Sequence, residues 1–147
     1  MFPRMLLVAA LVMVGSVGRA EIVATCGASE GWAYYVPGGL APAGKPEWVK
    51  DQISSGSFQL IRSGEDFDIV FTDATGRTLS AKGDGGSIVG FATKDGNVVV
   101  YILYEMLTEN YVFWLSQKQP TLSYSQAKFA TPIRKHSLLV APCRRGK

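Results

Sequence analysis

Between Gly56 and Tyr111, short runs of β-branched and aromatic residues alternate with turn chemistry about every ten positions. The turn signals are Ser63-Gly64-Glu65-Asp66, Asp73-Ala74-Thr75-Gly76, Gly83-Asp84-Gly85-Gly86 and Thr93-Lys94-Asp95-Gly96. Such spacing suits an antiparallel meander of short strands with tight returns, and Asp95-Gly96 is its strongest hairpin signal. Phe67, Ile69 and Phe71 face one way and Asp68 and Thr72 the other, which is the period of a half-buried strand. Phe58–Arg62 precedes it, and Thr78–Ala81 and Ser87–Ala92 follow as glycine-diluted strands. Glu109–Leu115, Leu122–Ser125 and Ser137–Ala141 continue the series, and Ile22–Thr25 is a short strand at its start. The fold class is all-β: an antiparallel meander of seven or eight strands, closed as a small barrel or twisted sandwich. No stretch carries a convincing amphipathic helix.

Val98-Val99-Val100-Tyr101-Ile102-Leu103-Tyr104 breaks the alternation, because it is apolar on both faces. It requires the core on one side and a second cover on the other. From Gly27 to Ser55 the texture changes: Pro37, Gly38, Gly39, Pro42, Gly44 and Pro46 predict a long loop, with a helical turn or a strand opening after Pro46. Trp32, Tyr34, Tyr35 and Trp48 make this segment aromatic, and residues 32–48 are the expected cover for the apolar strand. A dimer interface is the competing cover. With Tyr101, Tyr111 and Trp114 of the late strands, these aromatics form the candidate surface for a ligand or partner, although alternating aromatics also build cores. A closed eight-stranded barrel has room for one small ligand.

The first twenty residues change the picture of where the protein works. Arg4, an apolar run from Met5 to Val14, and Gly18-Arg19-Ala20 read as a signal peptide cut after Ala20, which leaves residues 21–147 as a single β-domain. The apolar run is short for a membrane anchor. Lipidation at Cys26 is the competing variant, disfavoured by Thr25 before it. Cys26 and Cys143 are the only cysteines, and in an oxidising periplasmic or extracellular compartment they predict one disulfide. A redox or metal pair is not supported, because no Cys-x-x-Cys spacing accompanies them.

Without Arg4 and Arg19 the chain carries 13 basic and 12 acidic residues, a near-balance that argues against a nucleic-acid partner. The distribution is uneven: residues 21–109 hold all 12 acids, and residues 110–147 hold 7 bases and no acid. Cross-strand pairing accounts for this asymmetry, and weak contact with an anionic lipid or glycan surface is the sharper alternative.

Gly27-Ala28-Ser29-Glu30-Gly31 matches the nucleophile elbow, but that motif works at a strand-to-helix turn and no helix follows. His136 is the only histidine. Glu65, Asp66, Asp68 and Asp73 suggest a calcium site, yet the EF-hand spacing is absent and solvated turn acids are the plainer account. No cofactor or metal is therefore expected, and no catalytic residue is assigned.

Thr25-Cys26-Gly27, Trp32, Tyr34-Tyr35, Phe67-Asp68-Ile69, Asp73 with Gly76, Ser80-Ala81, Asp84-Gly85 and Cys143 together resemble a family of small exported bacterial proteins with no assigned activity. The resemblance implies export and an all-β core, and it brings no site with it. The expected function is a cell-envelope or secreted binding module without catalysis, taking a small ligand or an envelope protein. A small hydrolase-like enzyme and a purely structural envelope protein are the alternatives.

Overall fold

Eleven strands form among the described residues: β1 (Glu21–Cys26), β2 (Ser29–Tyr35), β3 (Trp48–Ile53), β4 (Ser57–Ser63), β5 (Asp66–Thr72), β6 (Thr78–Ser80), β7 (Ser87–Ala92), β8 (Val98–Leu103), β9 (Leu107–Trp114), β10 (Thr121–Lys128) and β11 (Lys135–Arg145). The computed structural model describes residues 19–41, 47–73 and 75–146. The expected signal peptide lies outside the described residues except for Arg19 and Ala20.

All pairs are antiparallel, in the order β6-β5-β4-β1-β11-β10-β9-β8-β7. Two meanders, β4–β6 and β7–β11, are thus joined through β1. The sheet curls into a half-barrel until Phe67 of β5 meets Gly90 of β7, where an added Cβ would lie 2.9 Å from the Phe67 ring. Each of the four turn signals places a glycine at positive φ: Gly64, Gly76, Gly85 and Gly96. At the second, Asp73 Oδ1 accepts from the backbone N–H groups of Thr75 and Arg77, at 2.9 and 3.0 Å, as an Asx turn requires.

The stretch read as a long loop is the main correction. Its two flanks are strands, and the β2–β3 hairpin pairs with β11 instead of folding over the sheet. β11 is long enough to take two partners on one edge: β2 along Lys135–Val140 and β1 along Cys143–Arg145. Gly31 makes this fork possible, since a Cβ there would lie 2.1 Å from the carbonyl oxygen of Leu138.

The concave side holds the core, including Leu60, Ile69, Val100, Ile102, Phe113, Leu122 and Leu139. Phe58, Tyr111 and Tyr124 pack together within it, with ring centroids 4.8–5.8 Å apart. Cys26 and Cys143 are register partners on β1 and β11, and they form the disulfide with their Cα atoms 4.0 Å apart. This bond is compatible with an oxidising compartment.

Candidate functional site

Register fixes what the convex side displays. Across β7-β8-β9-β10-β11-β2-β3 the outward residues fall into three rows. The first row is Phe91, Val99, Val112, Ser123, Val140, Glu30 and Gln52. The second is Val89, Tyr101, Asn110, Ser125, Leu138, Trp32 and Lys50, and the third is Ser87, Leu103, Thr108, Ala127, His136, Tyr34 and Trp48. Eight large apolar side chains of this face are 45–59% exposed: Trp32, Trp48, Val89, Phe91, Tyr101, Leu103, Leu138 and Val140. Glu30 and Lys50 are the only Asp, Glu, Lys or Arg residues in the three rows.

Two concavities cut the face. One, of ≈ 340 Å³, has a floor of small residues, Thr108, Asn110, Ser125 and Ala127, between Tyr101 and Leu103 on one flank and His136 on the other. The second, of ≈ 880 Å³, lies along the hairpin between Leu138, Val140 and Trp32 on one side and Lys50 and Gln52 on the other. Leu138 and Val140 form the ridge between them. Asn110 Oδ1 is buried and has no hydrogen-bond partner among the described residues.

The sequence candidates divide on this frame. Trp32, Tyr34 and Trp48 point outward on the hairpin, with the Tyr34 and Trp48 rings 5.7 Å apart. Tyr101 shares their face four strands away, and Trp114 lies outward at its margin, donating its indole N–H to Ser123 Oγ at 2.9 Å. Tyr35 points inward, with Lys135 Nζ 5.5 Å from its ring centroid. Tyr111 is 1% exposed in the core, so it does not belong to an exterior surface. The expected cover of Val98–Tyr104 by residues 32–48 is also corrected: the hairpin joins the same sheet, and Tyr101 and Leu103 stay half exposed. Val98, Val100 and Ile102 fill the core instead.

A polar cluster occupies the concave side where β10 leads into β11, and sequence reasoning missed it. Glu109, 9% exposed, accepts from Tyr111 Oη at 2.8 Å, Tyr124 Oη at 3.0 Å and Gln126 Nε2 at 2.6 Å. Burial, reinforced by the neighbouring charges, pushes both phenols well above the usual tyrosine range. Nearby, Lys135 donates to Asp51 Oδ2 at 2.6 Å across the fork. Burial and then the like charge of Lys135 lower Lys128. The signal lay in phase: Glu109 is two residues before Tyr111 and four before Phe113, so the alternation that buries them buries the carboxylate.

The remaining motifs do not assemble into reactive sites. Ser29 is 2% exposed at the start of β2, on the face opposite His136, which pairs with Tyr34 five residues on. That offset puts about 17 Å between the two along the strand. Asp68 accepts from the N–H groups of Ile69 and Lys82 and from Ser80 Oγ, so it staples β5 to the turn after β6. Hydrogen bonds to Thr75 and Arg77 hold Asp73 below the usual carboxylate range. No group of three or more His, Cys, Asp or Glu residues suited to a metal occurs among the described residues. No helix among them is long and apolar enough to cross a membrane. In the basic C-terminal segment Lys135 meets an acid, while Arg134 donates to the carbonyl of Pro37 and Arg145 to those of Leu115 and Gln117. No family model, curated protein or solved structure matches the chain.

Proposed function

We propose that the protein is an exported, non-catalytic interaction module of the cell envelope, and that it docks another protein chain on the convex face of β7–β11 and the β2–β3 hairpin. One observation carries this reading: eight half-exposed large apolar residues share three rows that hold only two formal charges. Isolated exposed apolar residues are ordinary, whereas two apolar groups on either side of one shared groove, on β7–β8 and on β11–β2–β3, mark an interaction surface. The disulfide and the leader-like first twenty residues support export.

Photo-crosslinking in cells tests it. A photoreactive amino acid at Tyr101 or Leu138 should give a discrete crosslinked protein band. The same probe at Thr78, exposed on β6 at the other end of the strand order, should give none. Equal crosslinking from all three positions, or none from Tyr101 and Leu138, would refute the docking reading. N-terminal mass of the exported protein should begin at Glu21.

A further inference from the structure

We infer that the occupant of the convex face is a second copy of this chain, packed sheet against sheet about a two-fold axis. The inference rests on the reading that this face is a docking surface and names its partner. Area is the first argument. Large side chains expose roughly 200 Å² each when free, so eight at about half exposure leave about 800 Å², which is what one partner brings to a standard interface.

Relief is the second argument. The ridge of Leu138 and Val140 stands between two grooves, and the ≈ 340 Å³ groove is lined between its flanks by Thr108, Glu109, Asn110, Ser125 and Ala127. That floor spans β9 and β10, a width of about 10 Å with its flanking strands' spacing, enough to seat one row of branched side chains. A two-fold operator presents the ridge of each copy to the groove of the other, so a single surface supplies both shapes. Aligned sheet packing at about 10 Å separation is the ordinary way for two such faces to exclude water.

Charge is the third. Glu30 and Lys50 give the three rows one charge of each sign, with Arg144 beyond their margin, so the rows of a second copy meet no net repulsion. The same balance offers nothing to hold an anionic lipid surface, which recruits clustered Lys and Arg.

Sedimentation equilibrium of the disulfide-intact mature chain over a concentration series decides the matter. The wild type should run as a dimer. Ser125→Arg, which fills the groove floor, and Leu138→Lys, which charges the ridge, should each weaken dimerisation at least about a hundredfold by burying an unpaired charge. Both positions point outward, so far-UV circular dichroism should remain that of the wild type, and Thr78→Arg on β6 should leave the dimer intact. A wild type that is monomeric throughout, or a dimer indifferent to both substitutions, overturns the inference. Crosslinking then separates the two failures. A monomer that still crosslinks from Leu138 to a different protein retains the docking reading, and a monomer that crosslinks to nothing loses both.

Discussion

Replacing Glu109 with leucine tests the concave side most directly. The carboxylate accepts three hydrogen bonds, from Tyr111, Tyr124 and Gln126. Two of those donors are almost fully buried, at 1% and 4% exposure, and water cannot replace the lost acceptor without entering the core. A buried donor left unpaired costs about 1–3 kcal/mol, so two orphaned phenols set a loss of about 2–6 kcal/mol. Gln126 is half-buried and recovers part of its bond from solvent. The added apolar contact of leucine returns about 1 kcal/mol, which leaves a net loss of about 3 kcal/mol. Lys128 loses a favourable charge as well, while its unfavourable neighbour Lys135 stays.

Urea unfolding followed by far-UV circular dichroism reads this out, at one fixed protein concentration in case association contributes. With a slope near 2 kcal/mol/M, a loss of about 3 kcal/mol moves the midpoint down by about 1.5 M. The combined variant Glu109→Leu, Tyr111→Phe, Tyr124→Phe removes the donors with the acceptor. It should recover at least about half of the loss, because the cost lies in orphaned groups and not in the missing contact. Glu109→Leu within about 0.5 kcal/mol of wild type would refute the reasoning, since a neutral outcome is what surface substitutions show. So would a triple variant no more stable than the single one.

Alkaline stability follows from the same pair. Their pKa values are raised in the fold, so the stabilisation is complete below the unfolded tyrosine value near 10 and is lost above it, at up to about 2.7 kcal/mol per pH unit for two groups. Lys128, lowered in the fold, has the opposite sign and stops contributing near pH 10.4; a flat stability profile through the tyrosine range would contradict both burials. Gly31→Ala should prise β2 from β11, raising hydrogen exchange across β2 and β3 well before the rest of the sheet opens, and unchanged protection there would show that the close approach to Leu138 is not obligatory. Changing Cys26 and Cys143 together to serine should cost about 2–4 kcal/mol by freeing a long loop in the unfolded chain, and a loss below about 0.5 kcal/mol would show that the β1–β11 ladder alone sets the closure.

What the chain announces in advance is local. Gly64, Gly76, Gly85 and Gly96 mark four returns because positive φ is a demand made within a turn, and neighbours suffice to read it. Phe67, Ile69 and Phe71 reveal β5 for the same reason, although Phe71 is only half-buried. The β2–β3 hairpin was hidden because its alternation is inverted. On β3 the outward positions are Trp48, Lys50 and Gln52, and the inward ones are Val49, Asp51 and Ile53. An aromatic facing out and an acid facing in look like the absence of a pattern. Asp51 is intelligible inside only once Lys135, 84 residues later, arrives beside it. Between the two strands, glycine and proline outweighed everything else. Nothing within residues 29–53 foretells that β11 has an edge to spare.

That inversion links the two sides of the sheet. Where β10 leads into β11, polar groups are on the inside, and each is answered: Glu109 by two phenols and an amide, Asp51 by Lys135 and Ser137. Outside, Trp32, Leu138, Tyr101 and Leu103 remain half exposed, and among the described residues no other element of the sheet lies over them. Buried polar groups are costly when unanswered, and the fold answers them. Exposed apolar area of this extent carries a comparable penalty in solubility, and the fold leaves it standing. An antiparallel strand tolerates water on one face, but Val98–Tyr104 puts Tyr101 and Leu103 there in place of polar residues. The core covers one. The hairpin expected to cover the other extends the same exposed face by two strands, and that exposed face is where the proposed docking would act.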